Sequence, residues 1–341
     1  MLELAIIADD LTGALDSAAP FAMRGIATHA ALGLEGLEAA LAARPRILAI
    51  SSDSREIDAG SARARVAALV SALPDGTRIF KKVDSRLKGN ISAELDALPH
   101  TRSLVVPAIP DFGRFVENGN VTGFGVDEPI SVAGALGAHA ANAIIPDTGS
   151  QADIEAALSE GADLYIGARG LAEALARRLC SDQEARPDYP LKPACFVIGS
   201  TDPITLAQID ALRAAQPELA YFPAPNGEVA SDAQSDADII LIQATPGASK
   251  RSGEEVASAL AASLDRLSPA QDGLLVLSGG ATAQSILRHM GITSLEVLGE
   301  ALPGLPVSRA RNGLTVVSKS GGFGQSATLV DLVIPSSSGA R

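Results

Sequence analysis

The sequence predicts an α/β protein of two domains, each a mostly parallel sheet flanked by helices. Three observations predict it. Short apolar runs alternate with helix-period segments along both halves, the pattern that builds a parallel sheet with helices on both faces. The runs are nearly all apolar, as strands buried on both faces are. A polar stretch over residues 181–193, with Pro187, Pro190 and Pro193, interrupts the alternation, which then restarts. It reads as a linker between a domain over residues 1–185 and one over residues 194–341.

Each element follows from local pattern. In the first half, residues 4–8 read as a strand. Residues 14–24 read as a helix, with Leu15, Ala18, Ala19 and Ala22 on one stripe and Gly25 as its stop. Then come strand 28–32, helix 34–43, strand 46–51 and helix 59–72, closed by Pro74-Asp75-Gly76. Strand 78–83, helix 91–98 and strand 103–106 follow. Residues 107–137 break the pattern with Pro107, Pro110, Pro129 and several glycines, and read as a functional loop or flap. Strand 143–145, helix 153–159, strand 164–166 and helix 170–179 complete the half. The second half reads as strand 195–198, helix 205–215, strand 239–243, helix 253–267, strand 273–277, helix 282–290 and strands 314–317 and 328–334. The Ser/Gly-rich tail 335–341 reads as frayed.

Composition narrows the function classes. Of 341 residues, 47% are hydrophobic and 20% charged, which fits a folded chain with a sizeable core. With no Trp and few Tyr and Phe, that core is aliphatic. A net charge of −13 argues against a nucleic-acid binder. Cys180 and Cys195 make neither a disulfide framework nor a metal motif, and His29, His100, His139 and His289 have no metal-ligand spacing. The N-terminus lacks the basic region of a signal peptide, and no apolar run approaches the ~18–20 residues of a membrane span. A cytoplasmic protein with no membrane partner is expected.

The chemistry gathers at strand ends, where α/β proteins bind ligands. Asp9 and Asp10 follow the first strand, in Ala8-Asp9-Asp10-Leu11-Thr12-Gly13. Two adjacent carboxylates suit a general base, a hydroxyl acceptor or a Mg²⁺ ligand, while Asp10 or Thr12 would equally cap the next helix. Lys81, Lys82, Arg86 and Lys88 put four of the 27 basic residues within eight positions, beside Asp84, Gly89 and Asn90. Such a segment holds an anion, or forms a solvated basic face. Arg114, after Pro110 and Gly113, would clamp a carboxylate or end a structural proline turn. In the second half, Gly199-Ser200-Thr201-Asp202, Ser278-Gly279-Gly280-Ala281-Thr282 and Lys319-Ser320-Gly321-Gly322-Phe323-Gly324 each follow a strand. Three such turns line one phosphate cleft, or are three ordinary tight turns.

Together these stretches, with Pro107-Ala108-Ile109-Pro110, resemble the four-carbon acid sugar kinase family, nearly end to end and in the same order. That family includes D-threonate, D-erythronate and 3-oxo-tetronate kinases. The resemblance implies an N-terminal substrate domain, a C-terminal nucleotide domain and an active site in the cleft between them. It implies transfer of the ATP γ-phosphoryl to a hydroxyl of a small sugar acid. Asp10 or Asp84 would orient or deprotonate the hydroxyl. Asp9, Asp10, Lys82, Arg86, Lys88, Asn90 and Arg114 would bind the acid. Ser200, Gly279, Gly280, Ala281, Thr282, Lys319, Gly321 and Gly322 would cradle ATP. Mg²⁺ is expected with ATP, its ligands in the chain unassigned, and a homodimer is expected without a readable interface. The chain departs from the family pattern at Arg86, Lys88, Asp202 and Ala281. Two alternatives stay open: a regulator that binds nucleotide or sugar acid without turnover, and a sugar-acid lyase or epimerase that uses no ATP.

Overall fold

The structure, a computed structural model, describes residues 1–181, 185–267 and 273–334. The sequence-predicted tail 335–341 and residues 182–184 of the linker lie outside them. The chain divides into two compact units, Met1–Ala185 and Arg186–Arg341.

In the first unit the order is β1 (Leu4–Ala8), α1 (Leu11–Met23), β2 (Thr28–Ala31), α2 (Leu34–Ala42), β3 (Ile47–Ser51), α3 (Ala59–Ala72), β4 (Arg78–Lys82), α4 (Ile91–Leu95) and β5 (Ser103–Val106). There follow β6 (Arg114–Glu117), β7 (Asn120–Gly123), β8 (Ile130–Ser131), α5 (Val132–Leu136), β9 (Ala143–Ile144), α6 (Gln151–Ala157), β10 (Leu164–Gly167) and α7 (Arg169–Leu179). The main strands line up as β2-β3-β1-β4-β10-β5-β9. All pair in parallel, as the apolar runs predict. Ile6, Ile7, Leu15, Phe21, Leu48 and Phe80 are fully buried in its core.

Register decides where the functional loops emerge. Ala8 sits opposite both Ser51 and Lys82, and Lys82 opposite Gly167. The loops after β1, β3, β4 and β10 therefore leave the sheet at one edge. The chain builds β2 and β3 on one side of β1, then crosses to β4 on the other. That reversal opens a crevice at the carboxyl ends of β1 and β4, the standard ligand position in such sheets.

The second unit runs β11 (Ala194–Ile198), α8 (Pro203–Ala215), β12 (Ala220–Pro225), β13 (Ile239–Thr245), α9 (Gly253–Leu267), β14 (Leu274–Ser278), α10 (Gly280–His289), β15 (Ser294–Leu302), β16 (Leu305–Ala310), β17 (Thr315–Lys319) and α11 (Thr328–Asp331). Its strands order as β12-β13-β11-β14-β17-β16-β15. The first five are parallel, and β16 runs antiparallel to both its neighbours. Phe196, Leu241, Val276 and Val317 from the sheet meet Ile209, Leu212 and Leu329 from the helices in one core. Here too the order reverses, between β11 and β14, and Ile198, Ser278 and Lys319 stand at matched ends of neighbouring strands.

Four readings are corrected. Residues 107–137 are no loop. They carry β6, β7 and β8 as a three-stranded antiparallel sheet, turned at Asn118-Gly119, both at positive φ. An Asn-Gly pair between β-rich runs is a strong hairpin signal. The 328–334 stretch is helical at α11, because Leu329, Leu332 and Val333 also satisfy helical spacing and bury together. Strand β12 was missed because Pro223 and Pro225 argue against a strand, yet prolines are tolerated at an edge. The β15–β16 hairpin was missed although Pro303-Gly304, with Gly304 at φ +76°, is a tight-turn pair. Of the linker reading, residues 181 and 185–193 carry no helix or strand. Among the described residues no helix is long and apolar enough to cross a membrane.

Burial sets the cost of truncation. Phe80→Ala removes a fully buried ring from beneath the sheet and is expected to destabilise the fold by about 3–5 kcal/mol. Phe124→Ala, at a site 54% exposed, should shift it by less than about 0.5 kcal/mol. Denaturant titration of both variants, followed through the same transition, measures the contrast.

Candidate functional site

In the first unit the crevice is organised by a residue the sequence reading did not name, Arg55. Its Nε and Nη2 donate to the two oxygens of Asp9 at 2.7 and 2.8 Å, a two-pronged pair. Its Nη1 lies 2.8 Å from Asp10 Oδ2. Asp9 is 2% exposed. Burial works to raise its carboxyl, but Arg55, aided by Lys81 and Lys82, outweighs burial and holds it below the ordinary carboxylate range. Burial likewise works to lower Arg55, and Asp10 and Asp9 overcome it, so the guanidinium is pushed up and stays charged. The signal for Arg55 was its place four residues beyond β3, at the same sheet edge as Asp9.

Asp10 caps α1: Oδ1 accepts from the Gly13 amide at 2.8 Å and Oδ2 from the Thr12 hydroxyl at 2.9 Å. The helix-cap reading thus holds for its geometry. The helix starts at Leu11 rather than at Ala14 for this reason. Asp84 turns the next loop, its Oδ2 accepting from the Arg86 amide at 2.9 Å. Its other oxygen, Oδ1, has no bond among the described residues. Gly89, at φ +93°, lies against Asp9, so that a Cβ there would stand 2.9 Å from Oδ2.

The four basic residues of the 81–88 segment part ways. Lys81 is fully buried and pairs with Glu94 at 2.9 Å, while Glu94 accepts from Ser54. It supports the crevice from below and is lost to any ligand. Lys82 is 5% exposed, yet among the described residues no hydrogen bond or ion pair engages its ammonium. The space beside Gly13 is flanked by Lys82 Nζ and Asp10 Oδ1, and a Cβ there would meet both within 2.7 Å. Arg86 is half-buried and Lys88 exposed, and the side chain of neither has a bonded partner among the described residues. Asn90 spends both amide donors on the Ser54 and Ile57 carbonyls, at 2.8 Å each, and so pins the loop that carries Arg55.

A second unpredicted arginine stands at the end of β10. Arg169 pairs with Asp16 of α1 at 3.4 Å. Burial pushes the Asp16 carboxyl up, with Arg169 and Lys82 pulling it back. Arg114 opens β6 and is 6% exposed. Burial and the neighbouring Arg86 lower its guanidinium, which Asp84 opposes.

In the second unit the three Gly/Ser turns touch. A Cβ on Gly199 would stand 1.9 Å from Thr282 Oγ1, and one on Gly321 would stand 2.3 Å from Ser200 Oγ. Gly279, at φ +107°, precedes α10, which opens with Gly280, Ala281 and Thr282; Ala281 is exposed and Thr282 buried. Backbone N–H groups at such a helix start suit phosphate oxygens. Gly322 lies beside Asp202, which caps α8 through the Ile204 amide at 2.9 Å. Lys319 is not directed outward. Its ammonium donates to Thr205 Oγ1 at 3.0 Å and to the Ser320 and Gly321 carbonyls at 2.9 and 3.1 Å. Gln208 holds the Phe323 and Gln325 carbonyls at 2.9 Å each. Burial lowers Lys319 to about 8, against the pull of Asp202. Among the described residues no group of three or more His, Cys, Asp or Glu side chains gathers to hold a metal ion. His139 and His289 instead pair with Asp96 and Asp265.

A two-part protein with a cation-lined crevice in one sheet and a glycine cradle in the other belongs to the class that joins a polar substrate to a nucleotide. The comparisons agree. Residues 4–131 match the sugar-binding N-terminal domain model, and residues 195–329 match the nucleotide-binding C-terminal domain model. The chain is 28% identical to the D-threonate kinase of Bordetella bronchiseptica, covering 96% of each chain. It is 27% identical to the 3-oxo-tetronate kinase of Methylobacterium radiotolerans, covering 95% of this chain and 96% of that one. A D-erythronate kinase of Heliobacterium modesticaldum is 35% identical over 126 residues, 35% of this chain and 29% of that one. A crystal structure from Salmonella typhimurium LT2 shares the fold with a TM-score of 0.72 at 19% identity, covering 97% and 98% of the two chains. The chain belongs to the four-carbon acid sugar kinase family.

Two expectations follow. Arg55→Met leaves the buried Asp9 carboxylate and the half-buried Asp10 without their cation and should destabilise the protein by about 3–5 kcal/mol at pH 7. The Asp9 pKa is depressed in the native state, so the wild type holds this stability above the ordinary carboxylate pKa and loses it as pH falls through the depressed value. The difference between wild type and variant should therefore shrink as pH falls below the carboxylate range, which denaturation at stepped pH measures. Lys319 titrates lower in the folded state, at about 8, than in the unfolded chain. Between pH 8 and the ordinary lysine range the unfolded state binds the extra proton, so stability should rise with pH there. Lys319→Met should abolish that rise.

Proposed function

We propose that the protein is an ATP-dependent kinase that phosphorylates a hydroxyl of a four-carbon sugar acid such as threonate, erythronate or 3-oxo-tetronate. The observation that carries this reading is the meeting of Gly199, Ser200, Gly279, Thr282 and Gly321, where three strand ends and the start of α10 come within contact of one another. A lyase or epimerase has no use for such a cradle. The named kinases, similar over nearly their whole length, support the reading.

The acid belongs to the first unit. Lys82, buried and without a bonded partner among the described residues, would with Arg86 hold the acid's carboxylate and offset charge on the phosphoryl group. Lys88, exposed at the same loop, adds charge at the rim. Asp84, with Oδ1 unengaged among the described residues, is the carboxylate that would orient the attacking hydroxyl. Asp10 is committed to Thr12, Gly13 and Arg55, so its part is to fix the crevice rather than to move the proton. Phosphoryl transfer asks for positioning and charge neutralisation more than for a strong base. ATP belongs to the second unit, on Ser200, the Gly279–Thr282 turn and Gly321-Gly322, with Lys319 holding that last turn in shape. Mg²⁺ accompanies ATP as its counter-ion and neutralises developing charge.

Purified protein with Mg-ATP and a panel of four-carbon acids should release ADP with at least one of them, and absence of ADP above background across the panel would reject the proposal. Lys82→Met should lower kcat/KM by about 10²–10³-fold. Asp84→Asn should lower kcat by about 10²–10⁴-fold, whereas a near-normal rate would return the role to Asp10.

A further inference from the structure

Arg114 looks like a substrate clamp in the sequence, and its surroundings give it other work. All three nitrogens of its buried guanidinium are engaged inside the protein. Nε and Nη2 both donate to the Phe124 carbonyl, at 3.2 and 2.9 Å, and Nη1 donates to the Ser85 hydroxyl. The Phe124 amide in turn donates to the Gly113 carbonyl at 2.8 Å. At Gly123, φ is +95° and a Cβ would stand 2.1 Å from Gly113 O, so only glycine permits this closure. The Phe124 side chain is 54% exposed, so the arginine holds a backbone group and not a packed ring. At its other end stands Ser85, buried, between Asp84 and Arg86.

We propose that Arg114 is a positioning residue that braces the Asp84–Arg86 loop against the end of the β6–β7 hairpin and thereby sets the acid-binding groups in place. A fork with separated donors is required, since a lysine ammonium cannot span the Phe124 carbonyl and the Ser85 hydroxyl in the same way. The three-stranded sheet is then a fixed platform for the loop. The activity arm of this inference rests on the kinase reading; the bracing itself does not.

The test uses full-length Arg114→Lys and Arg114→Ala, with amide hydrogen exchange at Arg86 and Phe124 and KM for acid and for ATP. Both variants should speed exchange at both amides by about tenfold and raise KM for the acid by about tenfold, with KM for ATP changed less than about twofold. Guanidinium ion should restore both readouts in Arg114→Ala. Loss of acid affinity with unaltered exchange would make Arg114 a direct ligand and overturn the proposal, as would two unaltered readouts. Should Arg114→Ala fail to fold, Arg114→Lys decides by the same readouts. Should the wild type show no kinase activity, exchange and its rescue still decide the bracing, and the kinase reading falls separately.

Discussion

The first unit depends on a buried electrostatic constraint. Two consecutive carboxylates sit at the end of β1, where the sheet leaves little water to solvate them, and a single guanidinium answers both. Asp9 has almost no exposure, and Arg55, aided by Lys81 and Lys82, offsets the cost of burying its charge. That requirement reaches outward. Arg55 lies in a loop pinned by Asn90, and Gly89 must be glycine-like to pass over Asp9. Beneath, Lys81 and Glu94 form a second buried pair that fixes the end of β4. The crevice is a set of interlocked charges in which Lys82, buried, has no bonded partner among the described residues.

The second unit reaches its purpose by the opposite means. Its turns meet glycine against short side chains, with Asp202 and Lys319 as the charges beside them. Glycine at 199 and 321 lets one turn pass within contact of another, while Lys319, Thr205 and Gln208 hold the carbonyls of the last turn from behind. One unit presents side chains and the other presents backbone.

Much of this was legible in the sequence because strand ends are. The apolar runs located nearly every parallel strand, and the loops after them gave Asp9, Asp10, Lys82, Asp84 and the three glycine turns. The failures have distinct causes. Arg55 is one charge in a mixed run, Asp53-Ser54-Arg55-Glu56, and Arg169 opens α7 between Gly167 and Gly170, so neither stands out from its neighbours, and only register shows that both share an edge with Asp9. Lys81 and Lys82 are neighbours in one strand and cannot be told apart until alternation sends one into the core to meet Glu94. Asn90 and Arg114 carry chemistry that suits a ligand, and their donors bond the Ser54, Ile57 and Phe124 carbonyls and the Ser85 hydroxyl. The hairpins at 114–123 and 294–310 were announced by Asn-Gly and Pro-Gly pairs, while the edge strand β12 was concealed by its prolines.

Those prolines have a meaning of their own. A parallel sheet must end somewhere, and at β12 the second unit's sheet ends on a strand with one neighbour. An outer strand offers its free amides as a template for any other extended chain. Pro223 and Pro225 stand two apart, on the same side of the strand, and neither has an amide to offer. The border of the sheet thereby lacks two of the donors that an added strand would need, and it does so by leaving amides out rather than by adding charge.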